Sequence, residues 1–188
     1  LIEQHTIEYV PSGTALAEWR QKPPRQPSSL LTLAVNPEEL LHSQDEIKGI
    51  PPQLFTRSMH LMGEDATADD FLREAGKHDI VHIATHARMN HWYPMYSSIR
   101  WSNRRLELRD ILSTRIPARL VVLSACESGM ASSALDDIPS GHDLVSFPRA
   151  FLSAGASAVI ASLWLVEDEA TASLMSRFYS NLVRSKRI

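Results

Sequence analysis

Hydrophobic residues in this chain are concentrated in short continuous runs rather than alternating with polar residues. The strongest runs lie at 30–35, 80–86 and 120–125. Continuous apolar runs of this length predict strands that are covered on both faces, as in a parallel sheet. Further, shorter strands are predicted at 7–10, 58–62 and 158–164.

Helical segments separate these strands. Helices are predicted at 38–50, 66–75, 109–113, 145–154 and 167–184, and residues 11–13 form a turn that starts another helix. Thr67 is suited to cap the second of these helices, with Asp69 and Asp70 in its first turn. The predicted core-facing side chains of the last helix are Leu174, Phe178 and Leu182, with Met175 beside them.

Strands that alternate with helices predict an α/β fold, with a mainly parallel central sheet and helices on both of its faces. The stretch 88–103 lacks periodicity and is predicted to be a long loop with a weak hairpin. With 188 residues, the chain fits a single domain, 1–188.

Charge and composition limit the classes of partner that we expect for this chain. The net charge of −3 gives no overall attraction to nucleic acid or membrane, and there is no basic face with interleaved aromatic residues. No apolar run approaches the ~20 residues that span a bilayer. The one cysteine cannot form an internal disulfide, which fits the reducing cytosol, so we expect a cytoplasmic protein. Glycine-rich phosphate loops and the GxSxG elbow of serine hydrolases are absent from the sequence.

Two residues with catalytic chemistry follow two of the predicted strands. His86 ends the run at 80–86 and Cys126 follows the run at 120–125. Sites in such sheets form outside the carboxyl ends of the strands, where a histidine can lower the pKa of a thiol from its usual value near 8.5. The residues Ser128 and Gly129 suit a tight turn behind the thiol. The same pattern also fits an inert buried cysteine and an ordinary hydrogen-bonding histidine.

A metal site built from His82, His86, His91 and Cys126 is a second interpretation of the same region. His82 and His86 lie four residues apart, but this spacing binds zinc on a helix, and the segment is predicted to be a strand. A hydrogen bond of His82 within the fold is the alternative that we favour.

Three ordered blocks resemble the CHAT family, which groups with caspases and separases and is often attached to tetratricopeptide repeats. They are DIVHIATHA at 79–87, LVVLSACESG at 120–129, and the segment 147–182 that begins FPRAFLSAGAS. PSGTAL at 11–16 and GEDAT at 63–67 also resemble the family. The resemblance implies a caspase-like three-layer sandwich.

The resemblance also assigns roles. It implies that Cys126 is the nucleophile and His86 its base, and that the backbone N–H groups of Cys126 and Ala87 form the oxyanion hole. The family usually has glycine where this chain has Ala87, and alanine resists positive φ angles. It implies no metal and no organic cofactor.

Asp168 follows the last strand in a block that resembles the separase segment with an acidic specificity residue. We therefore expect Asp168 to bind a basic residue immediately before the scissile bond, through charge-assisted contacts. The alternative is that Asp168 only caps the following helix.

The resulting hypothesis is a cysteine endopeptidase that cleaves a protein or peptide substrate under the control of an attached or partner tetratricopeptide-repeat or other sensor domain. The alternative is a catalytically inactive CHAT-fold scaffold. We also expect 1–188 to be a fragment of a longer protein that lacks the family's last helix and strand.

Overall fold

The computed structural model describes residues 10, 12–21, 26–35, 38, 40, 42–51, 53, 55–90, 92–125, 146–162 and 166–185. Its helices are α1 (Gly13–Gln21), α2 (Ser43–Lys48), α3 (Ala68–Glu74), α4 (Leu108–Leu112), α5 (Phe147–Ser153) and α6 (Asp168–Ser185). Its strands are β1 (Ser29–Ala34), β2 (Arg57–Met62), β3 (Ile80–Ala84), β4 (Ala87–Arg88), β5 (Ser98–Arg100), β6 (Arg105–Glu107), β7 (Leu120–Ser124) and β8 (Val159–Ala161).

Five strands form the central sheet in the order β2-β1-β3-β7-β8, and every neighbouring pair is parallel. The chain runs outward from β1 to β2 and then crosses back to β3, so the direction of winding changes between β1 and β3. Together with the helices, this arrangement confirms the predicted α/β class and is consistent with a caspase-like three-layer sandwich. The carboxyl ends of all five strands lie at one edge, where sites form in such sheets.

The three central strands β1, β3 and β7 are buried on both faces, which explains their largely apolar runs, whereas the edge strand β2 is mostly exposed. One face packs against a cluster that includes Phe71, Trp101 and Phe151, with Phe71 and Trp101 stacked at 4.7 Å between ring centroids. The other face packs against Tyr179 and Met175 of α6. Alternate residues of each strand point to the two faces, so both must be apolar.

Sequence and structure differ in the segment between β3 and β7. The stretch 88–103 within it was predicted to be a long loop with a weak hairpin, but β4 and β5, together with β6 just after that stretch, form a three-stranded antiparallel sheet. These strands are two or three residues long, too short to show a period of two. Ile99 and Leu106 lie opposite each other and are fully buried, which anchors the small sheet to the core.

Two helices also differ from prediction. α2 begins at Ser43 instead of at residue 38, and the described residues just before it form turns and a bend. In α6 the buried stripe is Met175, Tyr179 and Leu182, while Leu174 is 60% exposed. Thr67 caps α3 as predicted, because its side chain accepts a hydrogen bond from the Asp70 amide.

Two further predictions concern the first strand and membrane spans. The strand predicted at 7–10 falls almost entirely outside the described residues. Among the helices that the structure describes, none is both long enough and apolar enough to cross a membrane.

Candidate active site

The central strands β3 and β7 end side by side at the carboxyl edge of the sheet. Ala84 and Ser124, their last residues, are register partners, and the Thr85 amide donates to the Ser124 carbonyl at 3.1 Å. The parallel ladder therefore continues one residue beyond β3, to the last residue of β7. His86 is the second residue after Ala84, and Cys126 is the second residue after Ser124. Cys126 itself lies outside the described residues.

The backbone around His86 is fixed by the small antiparallel sheet. The carbonyl of His86 accepts a 2.9 Å hydrogen bond from the amide of Arg100 at the end of β5. The Thr85 hydroxyl donates to the Arg100 carbonyl at 2.7 Å. The His86 side chain is half-buried, and its Nε2 atom is shielded from solvent. This second sheet therefore positions the imidazole at the edge of the first.

The amide of Ala87 points away from β5. Paired residues in an antiparallel ladder alternate between hydrogen-bonded and non-hydrogen-bonded pairs. Because the Arg100 amide bonds to the His86 carbonyl, the next pair, Ala87 with Ile99, is of the non-hydrogen-bonded kind. Ala87 also belongs to β4, an extended strand, so this position does not demand glycine. The amide therefore makes no ladder hydrogen bond to β5.

The chain that leads into Cys126 is held from two sides. The Ser162 hydroxyl, just after β8, donates to the Ala125 carbonyl at 3.0 Å. The Ser124 hydroxyl donates to Oε2 of Glu46 on α2 at 2.9 Å. Ala125 itself is buried. These bonds fix the end of β7 immediately before position 126.

A cavity of about 350 Å³ opens beside this strand edge. The ends of β3, β7 and β8 form its floor, and α2 and α6 form its sides. Most of the lining is apolar. Its described polar lining residues are Ser43, Glu46, Thr85, Ser124, Ser162 and Thr171.

Three buried polar side chains, His82, Tyr179 and Glu46, contact one another next to the cavity. Nδ1 of His82, in the middle of β3, lies 2.9 Å from the hydroxyl of Tyr179, and Nε2 lies 3.1 Å from Oε1 of Glu46. The Nε2 contact lacks the alignment of a hydrogen bond. All three side chains are at most 1% exposed. Burial, and secondarily the charge of Glu46, raise the pKa of Tyr179 well above its usual value, so its hydroxyl keeps its proton.

The structure tests the predictions for some of these residues, and others lie outside the described part of the chain. His82 makes its hydrogen bond within the fold, with both ring nitrogens facing protein groups. Within the part of the chain that the structure describes, no three histidine, cysteine or acidic side chains converge as metal ligands do. His91, like Cys126, falls outside that part. Asp168 begins α6, but its side chain is also outside the description.

Glu46, Ser124 and Tyr179 were missed by the sequence analysis. His82 was the one signal for them, because a polar residue within a buried strand needs a partner. The sequence does not say which residue that partner is, since Glu46 and Tyr179 come from helices far along the chain on either side.

The CHAT domain family matches residues 1–188, the whole chain. The chain belongs to the CHAT family. The predicted family is thus confirmed.

Two relatives are proteins of mammals. Tetratricopeptide repeat protein 28 of Homo sapiens is 33% identical over 78 residues, and that of Mus musculus is 36% identical over 78 residues. Each match covers 42% of this CHAT domain and 3% of the relative. Among solved structures, a short-chain flavodoxin associated with a non-canonical PDU bacterial microcompartment matches with a TM-score of 0.42 and 15% identity, over 85% of this chain and 97% of the flavodoxin.

Proposed function

We propose that this CHAT domain is a cysteine endopeptidase in which His86 activates the Cys126 thiol. The observation that supports the proposal is the pairing of Ala84 with Ser124. These residues are in register, and each lies two positions before one member of the pair, which supports a position of imidazole and thiol at the same edge of the sheet. A histidine beside a thiol favours the thiolate, which is the nucleophilic form.

The reaction follows from these two groups. The Cys126 thiolate attacks the peptide carbonyl carbon, and the carbonyl oxygen becomes an oxyanion that accepts from the amides of Ala87 and Cys126. Collapse breaks the C–N bond, and the His86 imidazolium gives its proton to the leaving amine. Water then attacks the thioester, His86 takes its proton, and the acid product and the thiolate are released. The scheme requires neither a metal nor an organic cofactor.

We further propose that Asp168 helps to select a basic residue before the scissile bond. Its place at the start of α6 supports this role, because Ala170, Thr171 and Leu174 of the same helix line the cavity. A carboxylate at that position would bind a guanidinium group through charge-assisted hydrogen bonds. The helix-capping alternative predicts no effect of Asp168→Asn on cleavage preference.

Control of the peptidase by other domains is part of the same proposal. Both relatives are named tetratricopeptide repeat protein 28, and the match to this domain covers 3% of the length of each. We propose that residues 1–188 form one such domain within a longer cytoplasmic protein, where a repeat or sensor domain governs access to the cleft.

The decisive experiment compares the full-length protein with its Cys126→Ala variant on a whole proteome, with new peptide termini identified by mass spectrometry. The proposal expects termini that appear only with the wild type, while circular dichroism shows the same fold for both. Termini that persist with Cys126→Ala would end the proposal.

The competing function is a catalytically inactive scaffold, and Ala87 in place of the family's usual glycine motivates it. An electrophilic acyloxymethyl ketone probe distinguishes the two, because it labels an activated thiolate and spares an inert thiol. Labelling of Cys126 in the full-length protein that His86→Ala abolishes supports the peptidase. Absence of labelling supports the scaffold.

A further inference from the structure

The cavity beside the strand edge contains a buried carboxylate. Glu46 is 1% exposed, yet it lines this space of about 350 Å³ together with the ends of β3, β7 and β8. Aliphatic side chains make up most of the remaining wall. A buried charge in such surroundings needs compensation by partners.

The partners of Glu46 leave part of its acceptor capacity unused. Oε2 accepts from the Ser124 hydroxyl at 2.9 Å. Oε1 accepts no hydrogen bond from any residue that the structure describes, although His82 Nε2 is 3.1 Å away. An ionised carboxylate has about four acceptor sites. Glu46 therefore retains sites for a donor that enters the cavity.

The surroundings of Glu46 favour a positively charged donor. Tyr179 keeps its proton, so its hydroxyl can donate to Nδ1 of His82. Nε2 of His82 faces Oε1 of Glu46 at 3.1 Å without a hydrogen bond to it, so the described contacts leave this oxygen open to a donor. No Lys, Arg or His occurs among the described residues that line the cavity.

We propose that this cavity receives the substrate side chain next to the scissile bond and that Glu46 is a specificity-determining residue that selects a cationic one, arginine or lysine. The proposal rests on the peptidase function, and it adds a second acidic group to the Asp168 already discussed. The aliphatic walls fit the methylene stem of such a side chain, and the carboxylate fits its charged end. The mouth is accessible, since Ala170 and Leu174 of α6 line the cavity and are exposed.

Direct binding tests the pocket without relying on catalysis. The full chain with Cys126→Ala is titrated by NMR with n-butylguanidinium and, separately, with n-butylurea, which has the same shape without the charge. We expect the guanidinium to bind about 10-fold to 100-fold more tightly, as for a charge-assisted hydrogen bond. Glu46→Gln should reduce this preference to about 2-fold. Equal binding of the two probes, or a preference that Glu46→Gln leaves intact, would overturn the inference.

Matched variants separate this role from others. Asp45→Asn removes the same charge from the next position of α2, where the side chain is 67% exposed, and should leave the preference unchanged. Asp168→Asn measures how much the carboxylate at the start of α6 contributes to the preference for n-butylguanidinium over n-butylurea. If Glu46→Gln fails to fold, Ala170→Trp blocks the mouth from an exposed position and should abolish guanidinium binding, whereas Asn181→Trp on the same helix should not.

Cleavage assays then distinguish the two proposals. Glu46→Gln should lower kcat/KM for peptides with arginine before the cut by about 10-fold to 100-fold more than it lowers kcat/KM for norleucine peptides. Guanidinium binding that depends on Glu46, in a wild type that cleaves nothing, supports the pocket and counts against the peptidase. Cleavage that is indifferent to Glu46 and to the cationic side chain supports the peptidase and overturns the pocket.

Discussion

Ala84 and Ser124 are partners in the parallel ladder between β3 and β7, and the Thr85 amide extends that ladder to the Ser124 carbonyl at 3.1 Å. The pairing links two parts of the chain that are far apart in sequence. It brings the block that ends in His86 and the block that continues into Cys126 to one edge. The proposed chemistry depends on this register, because a shift of one strand would separate the two groups.

The Ala87 position gives a prediction about the oxyanion hole. Ala87 lies in the extended strand β4 with its amide directed away from β5, so glycine should offer no catalytic advantage. We expect Ala87→Gly to keep kcat/KM within about 2-fold and to lose about 0.4–1 kcal/mol of stability through the freer unfolded chain. Steady-state kinetics and urea unfolding measure the two effects. A large rise in kcat would contradict the extended geometry.

The buried group of His82, Glu46 and Tyr179 gives a prediction about stability. His82→Leu leaves the Tyr179 hydroxyl without its described partner and removes the polar side chain that faces Oε1 of Glu46, so we expect a loss of about 1–3 kcal/mol. Tyr179→Phe removes one hydroxyl and should cost about 1–3 kcal/mol.

Urea unfolding checks both variants against His42→Leu. His42 is 40% exposed and contacts Asp45 at 3.6 Å, so its replacement should change stability by less than about 1 kcal/mol. If His82→Leu unfolds at the urea midpoint of the wild type, the contacts of His82 with Glu46 and Tyr179 do not stabilise the fold.

Acid stability should depend on α3. The hydrogen bond from Thr67, and then that from Arg73, lower the pKa of Asp70, and Lys77 foremost lowers the pKa of Glu74. A folded-state pKa below the unfolded value adds stability that is present above the unfolded value, near 4, and is lost as the pH falls through the folded one.

We therefore expect the unfolding free energy to decline from about pH 5 downward. Asp70→Asn should lower it at neutral pH and flatten the decline, whereas Asp65→Asn, at an exposed position before α3, should do neither. An unchanged acid slope in Asp70→Asn would show that the Asp70 contacts do not contribute.

The sequence predicted the three central strands well because they are buried on both faces. β1, β3 and β7 appear as largely apolar runs, interrupted by Thr32 and His82, and their ends agree with the structure within two residues. The small sheet of β4, β5 and β6 was not predicted, because strands of two or three residues carry too little periodicity. On α6, Leu182 is buried as predicted and Phe178 is partly buried against the core, but Leu174 is exposed and Met175 is buried, since both are apolar and tertiary packing selects between them.

The candidate site was only partly predictable. The positions of His86 and Cys126 at strand ends follow from local pattern and from the CHAT resemblance. Glu46 could not be found in this way, because a charged residue in a short helix is normally exposed to solvent. Its burial results from contacts with His82 and Ser124, which only the folded sheet brings beside α2.

The most direct test of the account is the pH dependence of alkylation at the one cysteine of the chain. The rate of reaction with iodoacetamide reports the thiolate of Cys126 without interference from another thiol. The account predicts a midpoint clearly below about 8.5 in the wild type and in His60→Ala, an exposed histidine on β2, and a return to about 8.5 in His86→Ala. Superimposable profiles for the wild type and His86→Ala would contradict it.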